Sequence, residues 1–172
     1  VTLTLLHGSD STCDLPLGSF NYSCPPANDE CANAIVLTPG GDFAAYQDLV
    51  NLTAATYSSQ TAPTCAFINN SGDVWYSVVV PDSGNITIET RINNGSAITD
   101  TGLAVYSGTC AGTITQVGCS DDEGIDAFSL VSLTGRTPGE VLLVRTWEYG
   151  GGTVGTFLIS AYDASLSSGS FD

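Results

Sequence analysis

The feature that most constrains the fold is a series of short β-prone runs at regular spacing, separated by turn-forming residues. Val, Ile, Thr, Tyr and Leu recur in the runs, whereas Pro, Gly, Asn and Asp recur in the breaks. The predicted strands span 44–50, 51–57, 73–80, 85–90, 103–106, 113–117, 127–133, 140–148 and 155–162. Short strands between frequent turns are typical of β-sandwiches. No long helical period is present, so the sequence predicts an all-β, jelly-roll-like β-sandwich.

Three segments of different character divide the chain. Residues 1–27 combine an alternating strand, in which Val1, Leu3 and Leu5 share one face, with a linker that ends in two prolines. Residues 28–163 hold the predicted sandwich, which opens with a short helical turn over 28–35, and residues 164–172 form a C-terminal tail. The apolar strand needs a sheet edge. It either folds back on its own domain or adds to a neighbouring molecule.

Six cysteines without a CxxC motif, in a chain with one histidine, predict three disulfides rather than a zinc site. Disulfides persist in oxidising compartments, so we expect an extracellular or cell-surface protein. Two of the cysteines flank a predicted hairpin turn, where antiparallel pairing would bring them within bonding range. Proximity favours the pairs Cys13 with Cys24 and Cys110 with Cys119, which leaves Cys31 for Cys65.

The charge balance excludes several classes of partner. The formal net charge is −15, and the chain contains three arginines and no lysine. A surface this acidic repels nucleic acids and anionic membranes, so neither is an expected partner. No apolar stretch reaches the length of a transmembrane helix. His7 lies in the terminal strand without a motif serine, which argues against Ser-His-Asp chemistry. We therefore expect a non-enzymatic protein with no nucleic-acid partner and no membrane insertion.

Carboxylates gather at the ends of one predicted hairpin. Asp100 precedes strand 103–106, and Asp121, Asp122 and Glu123 follow strand 113–117. Antiparallel pairing would bring all four to one edge, where they repel each other. Calcium relieves such repulsion because it takes six to eight oxygen ligands, many of them carboxylates. The sequence therefore predicts a calcium site, with a solvated acidic turn as the alternative.

Two aromatic residues, Trp147 and Tyr149, lie beside the triglycine 150–152. They are two positions apart, so strand alternation places them on one face. Aromatic rings stack on the apolar faces of sugars, and these two residues are the predicted glycan-binding pair. Packing in the core is the alternative, and it is the expected role of Trp75.

Several segments, in their joint order, resemble a module of secreted bacterial proteins. They read NDECANA at 28–34, GDVWYS at 72–77, PDSGNITIET at 81–90, DTGLAVYSG at 100–108, GCSDD at 118–122 and WEYGGG at 147–152. The order is similar to that of CUB-like and pre-peptidase C-terminal β-sandwich domains. These domains are non-catalytic, and they accompany secreted proteases or polysaccharide hydrolases or recur in large surface proteins.

The resemblance also implies ligands for calcium. In CUB-like domains an acid that opens the D-x-x-L-x-V-Y-x-G strand binds calcium together with acids after the following cysteine. By resemblance this role falls to Asp100 and to Asp121 or Asp122. The third CUB-like carboxylate has no clear counterpart, since residues 91–99 contain no acid.

Two functions from different classes are consistent with these features. The first is a calcium-stabilised structural or adhesive surface subunit, which self-associates into a filament by donating its N-terminal strand to a neighbour. The second is a carbohydrate-binding accessory module of a secreted hydrolase or protease, whose partner is a glycan. The detached strand, the disulfides and the lack of lysine favour the first, because an extracellular fibre must resist proteolysis and dissociation.

Overall fold

The computed structural model describes residues 23–66, 68, 72–150 and 152–168, which form two packed β-sheets. Short 3₁₀ turns at Cys31–Asn33 and Ala164–Ser168 flank the strands. The strands are β1 (Ile35–Leu37), β2 (Gln47–Asn51), β3 (Asp73–Val79), β4 (Ile86–Ile92), β5 (Thr101–Gly108), β6 (Ile114–Ser120), β7 (Leu130–Leu133), β8 (Val141–Glu148) and β9 (Thr156–Tyr162). The all-β sandwich prediction is confirmed. Within the described ranges, no helix is long and apolar enough to cross a membrane.

The chain passes repeatedly from one sheet to the other. The five-stranded sheet has the order β1-β3-β8-β5-β6, and the four-stranded sheet has the order β2-β9-β4-β7. Strands β1 and β3 are parallel, and the other paired strands are antiparallel. Among the named strands, only β5 and β6 are consecutive in both sequence and sheet. Most connections therefore cross between the sheets at the ends of the sandwich, where they can build a site.

The main core lies between the two sheets. Alternate residues of each strand point inward, as the two-residue period of a strand requires. Fully buried examples are Val78, Val105 and Val144 from the five-stranded sheet and Ile88 and Ile159 from the four-stranded sheet. Burial of each such side chain contributes about 1.5–3 kcal/mol.

A further layer of chain covers the outer face of the five-stranded sheet. Trp75 and Trp147 lie on this face, opposite the main core, and are nevertheless fully buried. They belong to a second apolar cluster that includes Leu143. Ala66 and Ile68 join this cluster from residues 58–66 and 68, which we call the covering segment. Strands β3 and β8 are thus buried on both faces, which explains their almost continuous apolar sequence.

A buried ion pair connects the covering segment to the sheet. Arg145 donates from Nε to Asp73 Oδ2 over 2.9 Å and from Nη2 to Asp73 Oδ1 over 3.0 Å, and both side chains are 0% exposed. Ser58 donates to the same carboxylate from its amide over 2.8 Å and from Oγ over 2.6 Å. Arg145 also donates to the carbonyls of Ser58 and Thr61. These hydrogen bonds offset the desolvation of both charges.

The disulfides correct the predicted pairing. Cys31 is bonded to Cys110, and Cys65 to Cys119, so the predicted pairs Cys110–Cys119 and Cys31–Cys65 are wrong. Cys119 faces Ala104 within the hairpin, whereas Cys110 lies in the turn, beyond the last paired residues. Five residues separate Cys119 from the strand start at 114, about 16 Å along a strand, which is too far for a bond across the turn. Each bond instead ties a segment outside the hairpin to it.

The predicted strand at 51–57 is also wrong beyond its first residue. The amide of Ala55 donates to the carbonyl of Leu52 over 3.1 Å, and Ala54 has φ of 60°, so the chain turns after β2. A left-handed residue interrupts a strand. The predicted helical turn over 28–35 is confirmed at Cys31–Asn33, but its last residue begins β1, a parallel edge strand that was not predicted.

Several predictions concern residues outside the described ranges. Val1, Leu3 and Leu5 of the proposed assembly strand are among them, as is Cys13. The predicted Cys13–Cys24 disulfide and the boundary of the segment 1–27 therefore stay predictions.

Candidate functional site

The ends of three neighbouring strands define the candidate site. Strand β5 lies between β8 and β6 and is antiparallel to both. The start of β5 therefore lies beside the last residues of β8 and β6. Side chains that are distant in sequence meet at this end of the sandwich.

Three of the four predicted metal ligands come together there. Asp100 precedes β5, and Asp121 and Asp122 follow β6; one carboxylate oxygen from each lies within 4.8 Å of those of the other two. The backbone fixes this arrangement, because the amide of Thr101 donates to the carbonyl of Ala127 over 3.1 Å. We call Asp100, Asp121 and Asp122, together with Glu148 described below, the carboxylate cluster.

Glu123, the fourth predicted ligand, takes a different role. Its carboxylate accepts hydrogen bonds from Ser120 Oγ over 2.5 Å and from the amide of Asp121 over 2.9 Å. The hydroxyl of Ser120 lowers the pKa of Glu123. Glu123 therefore stabilises the turn that presents Asp121 and Asp122, rather than joining them.

Glu148 is a further acid near the three aspartates, and the sequence did not reveal it as a candidate ligand. It is the last residue of β8 and pairs in register with Thr101, next to Asp100. The amide of Tyr149 also donates to the carbonyl of Asp100 over 3.3 Å. Glu148 is 9% exposed, and its charge acts on Asp100. Its position depends on the order of strands in the sheet, which no local motif encodes.

The cluster contains buried carboxylate oxygens that lack donors. Asp100 Oδ1, Asp121 Oδ1 and Glu148 Oε2 are inaccessible to solvent and have no hydrogen-bond partner among the described residues. An unsatisfied buried acceptor costs roughly 1–3 kcal/mol, and more when it is charged. Oxygen atoms in this state fit a hard cation, since calcium binds carboxylate oxygens.

The electrostatics of the cluster agree with this fit. Burial, and then the charges of Asp122, Asp121 and Glu148, raise the pKa of Asp100 to about 6. Burial and the neighbouring acids also raise the pKa of Asp121. The protein thus disfavours ionisation of these groups on its own, and a divalent cation would reverse that preference.

The two predicted glycan-binding residues differ in exposure: Trp147 is buried and Tyr149 is exposed. Trp147 is 0% exposed and packs so closely on Gly102 that a Cβ there would lie 2.2 Å from Trp147 Cε2. Its ring therefore cannot stack on a sugar, and the prediction for Trp147 is wrong because the covering segment buries this face of β8. Tyr149 lies just beyond β8 and is 38% exposed.

Comparisons with known proteins give two likenesses. A family model described as galactose binding domain-like, and associated with the type IX secretion system, matches residues 27–135, which is more than half of the chain. Among solved structures, the chain is similar to the pre-peptidase C-terminal domain of a collagenase from Bacillus anthracis. The TM-score is 0.47 and the identity 10%, over 82% of this chain and 99% of that chain. No curated protein matches.

Proposed function

The chain belongs to the galactose binding domain-like family, and from this membership we propose that it is a non-catalytic, carbohydrate-binding accessory module of a secreted protease or hydrolase. The family match is the observation that carries the proposal. The fold is consistent with it, because a sandwich held by crossing connections offers loops at its ends for a ligand while its core stays rigid.

An extracellular location is part of the proposal. The family is associated with a secretion system. Two disulfides also connect the covering segment and the 3₁₀ turn at Cys31–Asn33 to the β5-β6 hairpin. Bonds of this kind persist outside the reducing cytosol. In the chain-entropy model, closing loops of this size contributes about 4 kcal/mol each.

We further propose that calcium stabilises the module at the carboxylate cluster. Asp100, Asp121, Asp122 and Glu148 would hold it, and the ion would supply the positive charge that this end of the sandwich lacks. The three orphaned oxygens support the proposal. Bound calcium would also hold the segment that follows β6 against the start of β5.

A second candidate is the structural subunit that polymerises through its N-terminal strand. One observation favours it: β1 is a three-residue edge strand whose Ile35 and Val36 are 39% and 67% exposed. An edge of this kind can accept an incoming strand. The donor residues Val1, Leu3 and Leu5 lie outside the described ranges, so the family match makes the accessory module the leading proposal.

A glycan array tests the leading proposal. The protein would be labelled with an amine-reactive fluorophore at its α-amino group, because the chain has no lysine side chain that would also react. We expect binding to a restricted set of glycans with calcium present, and none by protein that has been reduced and unfolded. An array on which folded protein gives no signal above the unfolded control would refute the carbohydrate-binding function.

A further inference from the structure

The turn between β4 and β5 contains an asparagine that is followed by glycine. Asn94 is the only asparagine of the chain with glycine as its next residue. Asn94 and Gly95 occupy the centre of a turn that the amide of Ser96 closes on the carbonyl of Asn93 over 3.0 Å. Gly95 has φ of 91°, as the third residue of a type II turn requires. Both central residues are exposed, so water reaches them freely.

The two groups that could react with each other in this turn are free to do so. Among the described residues, neither the side-chain amide of Asn94 nor the backbone amide of Gly95 has a hydrogen-bond partner. A Cβ placed on Gly95 would meet no heavy atom within 4 Å. Glycine also lacks the side chain that obstructs a close approach to the backbone. The nitrogen of Gly95 is therefore accessible to the side chain of Asn94.

These groups permit an intramolecular substitution that needs no enzyme. The nitrogen of Gly95 loses its proton to solvent and attacks Cγ of Asn94, and the side-chain nitrogen takes up a proton and leaves as ammonia. The product is a five-membered succinimide ring. Water then opens the ring: cleavage between Cγ and nitrogen gives aspartate, and cleavage of the original peptide bond gives isoaspartate, in which the chain runs through Cγ. One water enters and one ammonia departs, so no oxidant or reductant is required.

The same turn anchors the start of β9. Ser96 Oγ accepts hydrogen bonds from the amide of Thr156 over 3.0 Å and from the amide of Ile98 over 3.2 Å. Asn93 donates from Nδ2 to Thr156 Oγ1 over 2.7 Å. Gly155 packs closely on Ser96, since a Cβ on Gly155 would lie 2.7 Å from Ser96 Oγ. Isoaspartate adds one carbon to the backbone between the two anchoring residues and therefore displaces the groups that make these contacts.

We propose that Asn94 is a site of spontaneous deamidation, and that isoaspartate at this position weakens the attachment of the β4-β5 turn to β9. The inference goes beyond the proposed function, since the reaction needs neither a glycan nor a cation. Two other exposed asparagines, Asn51 and Asn85, precede Leu52 and Ile86, whose side chains hinder attack by the backbone nitrogen. They provide a comparison within the same molecule.

The test is incubation of the folded protein in buffers of rising pH, followed by unfolding, reduction and digestion with trypsin. Cleavage after Arg91 and Arg136 releases peptide 92–136, whose only asparagines are Asn93 and Asn94. Mass spectrometry with electron-transfer fragmentation locates the change and separates isoaspartate from aspartate. The matched variant is Asn94→Gln, which keeps a side-chain amide but would have to close a six-membered ring, a slower reaction.

We expect Asn94 to deamidate at least tenfold faster than Asn51 or Asn85. The rate should rise with pH, because the attacking amide must lose a proton, and Asn94→Gln should leave peptide 92–136 unchanged. Deamidation at Asn94 that is no faster than at Asn85 would overturn the site.

Thermal unfolding tests the weakened attachment. Unaltered protein that has been incubated should melt below incubated Asn94→Gln. Fresh Asn94→Asp adds the charge without lengthening the backbone and should melt with fresh unaltered protein. Equal melting of incubated unaltered protein and incubated Asn94→Gln, when the former contains isoaspartate, would overturn the effect on the attachment while leaving the modification site intact.

Discussion

Replacement of Asp100 by Asn removes one charge from the carboxylate cluster while preserving size and shape. In the absence of a cation, that charge is unfavourable, because burial and three neighbouring acids raise the pKa of Asp100 from 3.8 to about 6. A group whose pKa is raised on folding stabilises the protein below its unfolded pKa and loses that contribution as the pH rises through the folded value. Calcium-free protein should therefore lose stability between about pH 4 and pH 7.

The size of this effect follows from the shift in pKa. Two units correspond to about 3 kcal/mol, and solvent screening at this partly exposed residue reduces the value to about 1 kcal/mol. In calcium-free buffer at pH 7.5, Asp100→Asn should therefore raise the melting temperature by about 2–4 °C, as expected for a domain of this length.

With calcium present, the sign should reverse. A ligand at a hundredfold excess over its dissociation constant stabilises the folded state by about 2.7 kcal/mol. The variant lacks one carboxylate ligand and loses much of that gain, so it should melt below the unaltered protein. The structure thus predicts stabilisation by Asp100→Asn without calcium and destabilisation with it.

Thermal unfolding monitored by circular dichroism, in chelator and in millimolar calcium, measures both effects. Asp82→Asn is the matched control, since Asp82 is an exposed acid in the turn 81–84, and we expect it to shift the two melting temperatures equally. A shift of the same sign and size for Asp100→Asn under both conditions would refute the calcium site and leave a plain acidic turn.

Three further predictions address the scaffold and the assembly. Arg145→Met leaves the buried carboxylate unpaired and should lower the free energy of unfolding by about 3–5 kcal/mol in chemical denaturation, whereas Arg136→Met should cost less than about 1 kcal/mol; equal costs would contradict the anchoring role. Peptide mapping under non-reducing conditions should recover a peptide that links Cys31 to Cys110, and a different partner for either would contradict the fold of the covering segment. Deletion of residues 1–7 should leave the particle size in light scattering unchanged for an accessory module, and a collapse from polymer to monomer would instead favour the structural subunit.

Local patterns were sufficient to predict much of the sandwich. Turn residues separate strands such as Asp73–Val79 and Val141–Glu148 almost where the structure has them. The resemblance to secreted β-sandwich modules is likewise confirmed by the family match. These features depend on neighbouring residues, which a sequence displays directly.

The errors share a different cause. The prediction placed Trp147 at the surface because strand alternation indicates a face but not what covers it, and residues 58–66 and 68 cover that face. The cysteine pairing failed for the same reason, since proximity along the chain ignored the layer that brings Cys65 to the hairpin. Strand order, rather than any local motif, brings Glu148 next to the start of β5. Each outcome depends on contacts between distant segments.

The environment of the three arginines affects how easily trypsin-like proteases can cleave the folded chain. Trypsin-like proteases cleave after lysine or arginine, and this chain offers Arg91, Arg136 and Arg145. Each of the three is paired with a carboxylate, and two lie within strands of the sheets. A protease needs an extended, accessible backbone, which among these sites only the turn around Arg136 approaches. The folded chain should therefore resist trypsin-like cleavage at Arg91 and Arg145.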